Sequence, residues 1–229
     1  MKGMLRGLAC LLFALSCAPA ARAQVEGNPP NWCRNGPFAA EEADYRVARV
    51  VGQKGARVYF HGDDEGCPSP KCRLKTYVVP GDEVIVSRTL GDWACAWYQP
   101  ARGYETVGWI MAHQLSLGGP APTPTAASWE GEWEFYDNAL KVTRDRRTGH
   151  LNVKGDAVWK GANPGQVHVG EIEAKGTPAG NVLKLKADEC ELTLRLVGRY
   201  LLAADNKQCG GLNVTFDGVY RRKPARRRR

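Results

Sequence analysis

Apolar residues in this chain come in short alternating runs, each cut off by Gly, Pro, Asn or Asp, and none sustains the helical period of about 3.6 residues. Segments patterned this way become antiparallel strands joined by tight turns, so the expected fold is all-β, built as barrels or sandwiches. Examples are Ala56–Gly62 (ARVYFHG), Tyr77–Val86 (YVVPGDEVIV), Gly91–Tyr98 (GDWACAWY) and Glu105–Leu115 (ETVGWIMAHQL). Only Ala39–Arg46 suits a helical turn.

The first residues predict export. Lys2 and Arg6 precede the apolar run Leu8–Ala14, and Ala21-Arg22-Ala23 offers a small-residue cleavage site before Gln24, the pattern of a secretory signal peptide over 1–23. That run is too short to span a bilayer, and no transmembrane segment is expected elsewhere. A lipid anchor at Cys17 would want an aliphatic residue where Ala14 stands. The predicted location is periplasmic or secreted. Three of the positive charges behind the formal +8 leave with the leader, and seven more belong to 221–229, so the body between is near neutral.

Gly118–Ala127 (GGPAPTPTAA) is small, proline-rich and uncharged, a composition that forms no core and reads as a semi-extended linker. It separates a first domain at 31–117 from a second at 128–220, with a basic tail at 221–229. Six cysteines remain after the leader, four before the linker and two after it. An even number in an exported chain argues for disulfides, and each half can close its own pairs. Cys190–Cys209 is then nearly forced. In the first half Cys67–Cys72 would close a tight Pro-Ser-Pro-Lys loop, and Cys33–Cys95 would pin the N-terminal arm to the barrel. A zinc site is the rival, but no Cys-x-x-Cys pair exists and His61, His113, His150 and His168 are scattered.

The ordered set of a Gly-Asp turn after Val79, Gly91-Asp92-Trp93 entering a strand, and Gly108-Trp109-Ile110 before a last turn resembles bacterial SH3-like domains over about residues 55–117. The resemblance implies a small barrel used outside the cytoplasm for binding. The insertion Asp63–Lys71 and the longer Gln99–Glu105 hairpin depart from that pattern at the rim where such domains hold ligands. In the second half, the opening Trp129-Glu-Gly-Glu-Trp133 is similar to that of lipocalin-type barrels, and the segment Cys209–Tyr220 resembles the end of uncharacterised exported proteobacterial domains. Runs at 140–144, 151–153, 166–174, 182–185, 191–197 and 200–203, with a hairpin at Gly198-Arg199, predict about eight antiparallel strands in a barrel or flattened sandwich.

Candidate ligand contacts are the aromatics of the first half. Tyr59, Tyr77 and Trp97 either line a groove, where ring faces stack on sugars, peptides or apolar groups, or fill the core; Trp109 reads as core. Asp63 and Asp64, with Glu65, form an acidic turn beside His61 that is solvated and able to select a basic ligand group; adjacent carboxylates are not spaced to enclose a metal. Glu130, Glu132 and Glu134 alternate with Trp129 and Trp133, as on a strand with one wet face. Arg226, Arg227, Arg228 and Arg229 make an electrostatic tail for an anionic surface such as lipid headgroups or wall polymers, or are simply solvated.

No Gly-x-Ser-x-Gly elbow, His-Glu-x-x-His pair or phosphate-cradling glycine loop occurs. The reading is therefore of a non-enzyme without cofactor or metal, although a glycosidase assembled from distant carboxylates leaves no local trace. The expected function is an exported binding protein of the bacterial envelope, engaging a cell-wall fragment, a peptide or an envelope protein, with no role in nucleic-acid binding. The alternative is an inhibitor or immunity-like protein that blocks a lysozyme, protease or toxin.

Overall fold

The computed structural model describes residues 33–40, 42–119, 122–163 and 165–224; the leader read at 1–23 and the arginines 226–229 lie outside the described residues. In the N-terminal half the alternating segments form β1 (Arg46–Val50), β2 (Val58–His61), β3 (Arg73–Val78), β4 (Glu83–Leu90), β5 (Trp93–Tyr98), β6 (Thr106–Met111) and β7 (Leu115–Leu117). They pair antiparallel in the order β3-β2-β6-β5-β4-β1-β7. The inward set includes Ala48, Val58, Phe60, Val84, Val86 and Ile110. Gly108 is required where β6 crosses β2, because a Cβ there would sit 2.8 Å from the His61 carbonyl oxygen. The one predicted helical turn occurs earlier than expected, as α1 (Pro37–Ala40), and Arg46 already begins a strand.

The C-terminal half holds eight strands, as the sequence predicts: β8 (Gly131–Phe135), β9 (Asn138–Arg144), β10 (Leu151–Lys160), β11 (Val167–Gly176), β12 (Val182–Ala187), β13 (Cys190–Val197), β14 (Tyr200–Asp205) and β15 (Gly218–Arg222). Their order, β11-β10-β9-β8-β15-β14-β13-β12, is an up-and-down meander in which β15 returns to pair with β8. The open edges, β11 and β12, are consecutive in the chain and lie against each other, leaving a nearly closed barrel. Its interior is filled by Trp133, Leu140, Leu151, Leu194, Phe216 and Tyr220 among others, so the barrel is a packed core. Glu132 and Glu134 face outward around the buried Trp133, as the alternation requires.

Both barrel ends are plugged. At one, α2 (Ala126–Trp129) inserts Trp129, whose carbonyl accepts the Trp133 indole N–H at 3.0 Å. Arg222 lies over the Trp133 ring at 4.6 Å and donates to the Ser128 carbonyl. At the other, the loop after β14 is tied by Cys190–Cys209, and a Cβ on Gly210 would stand 2.6 Å from the Gly170 Cα. Arg221 and Arg222, read as the start of a solvated tail, therefore belong to β15. They are held because strand alternation puts one on each side of the wall.

Three disulfides join Cys33–Cys95, Cys67–Cys72 and Cys190–Cys209. Cys33–Cys95 ties α1 against the outer face of β5. There Phe38, Tyr45, Ile85, Trp97 and Trp109 from the N-terminal half pack with Val197, Tyr200, Leu202 and Val219 from the barrel wall. The two sheets thus share a buried seam that the linker composition does not reveal. Removing one of its two buried indoles leaves a cavity, so Trp97→Ala is expected to cost about 3–5 kcal/mol, read as a lower urea midpoint.

Candidate functional site

Trp97 is 1% exposed, its ring edge-on to Tyr200 at 5.2 Å, and it presents nothing to a ligand. The groove alternative therefore fails for it: on β5 it faces outward from its own sheet but directly into the barrel wall. Asp63 is also not a solvated turn residue. It is 9% exposed and accepts Arg34 Nε at 2.6 Å, which locks the turn to the N-terminal arm. Asp64 remains exposed beside it.

Tyr59 and Tyr77 do come together. They are directly opposite on β2 and β3, with ring centroids 5.7 Å apart in an edge arrangement. Tyr77 is 40% exposed and Tyr59 half-buried. Each carries an arginine: Arg57 lies over Tyr77 at 4.7 Å and Arg73 over Tyr59 at 4.6 Å. The pairing slips between Tyr59 and His61, so Arg73 sits opposite His61 while Tyr77 sits opposite Tyr59. This bulge curls the edge strand and re-aims Arg73 over the ring. Next along the face, His61 meets Trp93 edge-on at 4.6 Å, and burial holds its imidazole below the ordinary value.

The result is a strip in the order Arg57, Tyr77, Tyr59, Arg73, His61, Trp93 across the outer face of β3, β2 and β5. Its guanidinium forks match carboxylates and phosphates, and its ring edges accept sugar or apolar faces. Arg57 and Arg73 escape sequence inspection. Arg57 has the i, i+2 spacing to Tyr59, but its ring partner is the cross-strand Tyr77, and Arg73 reaches Tyr59 only through the bulge.

A larger cleft of about 1230 Å³ lies between the sheets, bordered by β1, the Gly198 hairpin and the end of the linker. Its cations are already engaged: Arg46 with the Gly118 carbonyl at 2.9 Å, Arg49 with that of Gly81 at 3.1 Å, and Arg199 with Glu83 at 3.1 Å. The strip is the better candidate because both its guanidiniums lie over partly exposed rings at the sheet edge, Arg57 also hydrogen-bonding the Tyr59 side chain. Among the histidines, His150 bonds Thr177 at 2.8 Å, and His168 bonds the Leu212 carbonyl at 2.6 Å while stacking on Trp159. Among the described residues no three His, Cys, Asp or Glu side chains gather as metal ligands, and no helix is long and apolar enough to cross a membrane.

No protein-family model, curated protein or solved structure matches the chain.

A carboxyl group sits at the seam. Glu105 accepts the Trp97 indole N–H at 2.5 Å, and its backbone N–H meets the Tyr136 hydroxyl at 3.4 Å. Burial pushes its carboxyl above the ordinary range, with the Trp97 bond opposing. The folded state therefore binds a proton more tightly than the unfolded one, and stability falls as pH rises from the ordinary carboxyl value through the raised one. Glu105→Gln retains an acceptor for Trp97 and removes the buried charge. Urea midpoints followed across the acidic range should show a decline for the parent protein over that window that is absent from the variant, and Gln should be no less stable at neutral pH.

Proposed function

We propose that this is an exported, non-catalytic binding protein of the bacterial envelope, which holds a carboxylate-bearing wall fragment on the strip formed by Arg57, Tyr77, Tyr59 and Arg73. The observation that carries the reading is the pairing of two partly exposed tyrosines, each under an arginine, on a disulfide-braced sheet. Peptidoglycan offers the matching groups: sugar faces for the rings and stem-peptide carboxylates for the guanidiniums. The likeness of residues 55–117 to bacterial SH3-like domains supports the same ligand class, and three disulfides suit an oxidising, extracytoplasmic compartment. The C-terminal barrel, filled with side chains, contributes an outer surface and support for the seam.

A second reading, an inhibitor of an envelope hydrolase or toxin, draws on the loop after β14. It is braced by Cys190–Cys209, by Lys207 against Asp217 and by His168 on the Leu212 carbonyl, yet leaves Leu212 74% exposed. A preformed apolar tip binds with little ordering cost.

Co-sedimentation of the mature, oxidised protein with purified murein sacculi separates the two. Binding should persist after removal of residues 225–229, and Arg57→Ala or Arg73→Ala should each weaken it about tenfold, the equivalent of about 1.4 kcal/mol. Leu212→Ala should leave it unchanged. Absence of binding to sacculi, with a stoichiometric hydrolase complex lost in Leu212→Ala, would replace the first reading by the second.

A further inference from the structure

The three disulfides differ in their surroundings. Cys33, Cys95, Cys190 and Cys209 are 1%, 0%, 6% and 3% exposed, each within a hydrophobic cluster. Cys67 and Cys72 are partly exposed and close a loop of sequence separation 5, against 62 and 19 for the others. Stabilisation by a cross-link grows with the loop it closes, so this bridge contributes least to the global fold. Its two ends also differ. Cys72 stands between Lys71 and Arg73, and the Ser69 hydroxyl, the only hydrogen-bearing partner of that contact, points at its sulfur from 3.2 Å. Cys67 follows Asp63, Asp64 and Glu65. Cations and a hydroxyl donor stabilise a thiolate, whereas carboxylates do not.

The loop is also mechanically connected to the strip. The Cys72 carbonyl accepts the Gly62 N–H at 2.8 Å, and the next residue is Arg73, whose guanidinium covers Tyr59. The bridge therefore holds the bulged start of β3 against the end of β2.

We propose that Cys67–Cys72 is a thiol-exchange site, opened by an extracytoplasmic dithiol reductant while the other two bridges stay closed, and that its opening releases Arg73 from Tyr59. A thiolate of the reductant attacks Cys67 Sγ, the Cys67–Cys72 bond breaks, and Cys72 leaves as the thiolate that accepts the Ser69 hydroxyl. The second thiol of the reductant then attacks its partner sulfur in the mixed disulfide and expels Cys67. The reductant is oxidised to a disulfide, its two electrons reduce the protein bridge, and its two protons finish on Cys67 and Cys72. The release of Arg73 would lower ligand affinity, a consequence that rests on the strip being the binding face.

The test is a dithiothreitol titration of the oxidised full chain, quenched with N-ethylmaleimide and mapped by mass spectrometry. Cys67 and Cys72 should label at a reductant concentration at least about tenfold below that needed for the other four. Opening of Cys33–Cys95 or Cys190–Cys209 first, or of all three together, overturns the proposal. With glutathione as a monothiol probe the adduct should form on Cys67, and Ser69→Ala should slow its formation several-fold; an adduct chiefly on Cys72 overturns the assigned direction. For the consequence, the Cys67→Ser/Cys72→Ser double variant should bind murein sacculi as weakly as Arg73→Ala, and parent-like binding overturns the release of Arg73. If the parent protein itself fails to bind sacculi, the wall-binding reading falls, and the labelling order still decides the exchange site.

Discussion

The Cys33–Cys95 bridge holds a short stretch of N-terminal chain in the one place where it can serve both sheets. A segment as brief as α1 has no stability of its own, since a single turn fixes several dihedrals for almost no hydrogen bonding. Tied to β5, it brings Phe38 and Ala39 into the seam, where they complete a cluster with Trp97, Tyr200, Leu202 and Val219. The Tyr45 hydroxyl bonds the Phe38 carbonyl at 2.5 Å and satisfies a buried acceptor there. Each sheet has an interior of its own, and the wedge adds a further cluster that joins the two.

That seam also decides where binding can occur. It covers the part of the outer face around Trp97 and Cys95 and leaves bare the part around Tyr59 and Tyr77. In the barrel, the interior is closed by Trp129, Trp133 and Arg222 at one end and the Cys209 loop at the other, so its outer wall and loop tips are its accessible surfaces. The free edge at β3 is guarded by Arg73, Lys75 and the bulge, which discourage another strand from pairing there. The same charged, curled edge is what places guanidiniums on the tyrosine rings.

Glu105 shows how a polar group is tolerated in this interface. Its carboxylate faces the Trp97 indole, and the adjoining Arg221 donates to the Gln99 and Pro100 carbonyls from across the seam. Hydrogen bonds therefore fix the rotation of one sheet on the other where apolar contact alone would permit sliding. Tyr104 and Tyr136, 80% and 55% exposed with rings 6.2 Å apart, close the outer rim of that contact.

Strand content, the eight-stranded second half and the disulfide partners were legible from the chain, because period-two alternation, turn residues and cysteine distribution are local or nearly local signals. Tyr59 and Tyr77 could be named as rings without saying which face they occupy. Trp97 could not be told from them, since an outward side chain on β5 meets water or a second sheet depending only on docking. Asp63 read as solvated because its partner Arg34 lies far away in sequence, and Arg221 and Arg222 read as tail because their charge masks their place in β15. Sequence by itself determined the strands and the cross-links, through backbone geometry and covalent pairing. Only the tertiary structure decided which outer faces are buried, which arginines cover which rings and where a ligand can be held, because those follow from contacts between segments that share no local pattern.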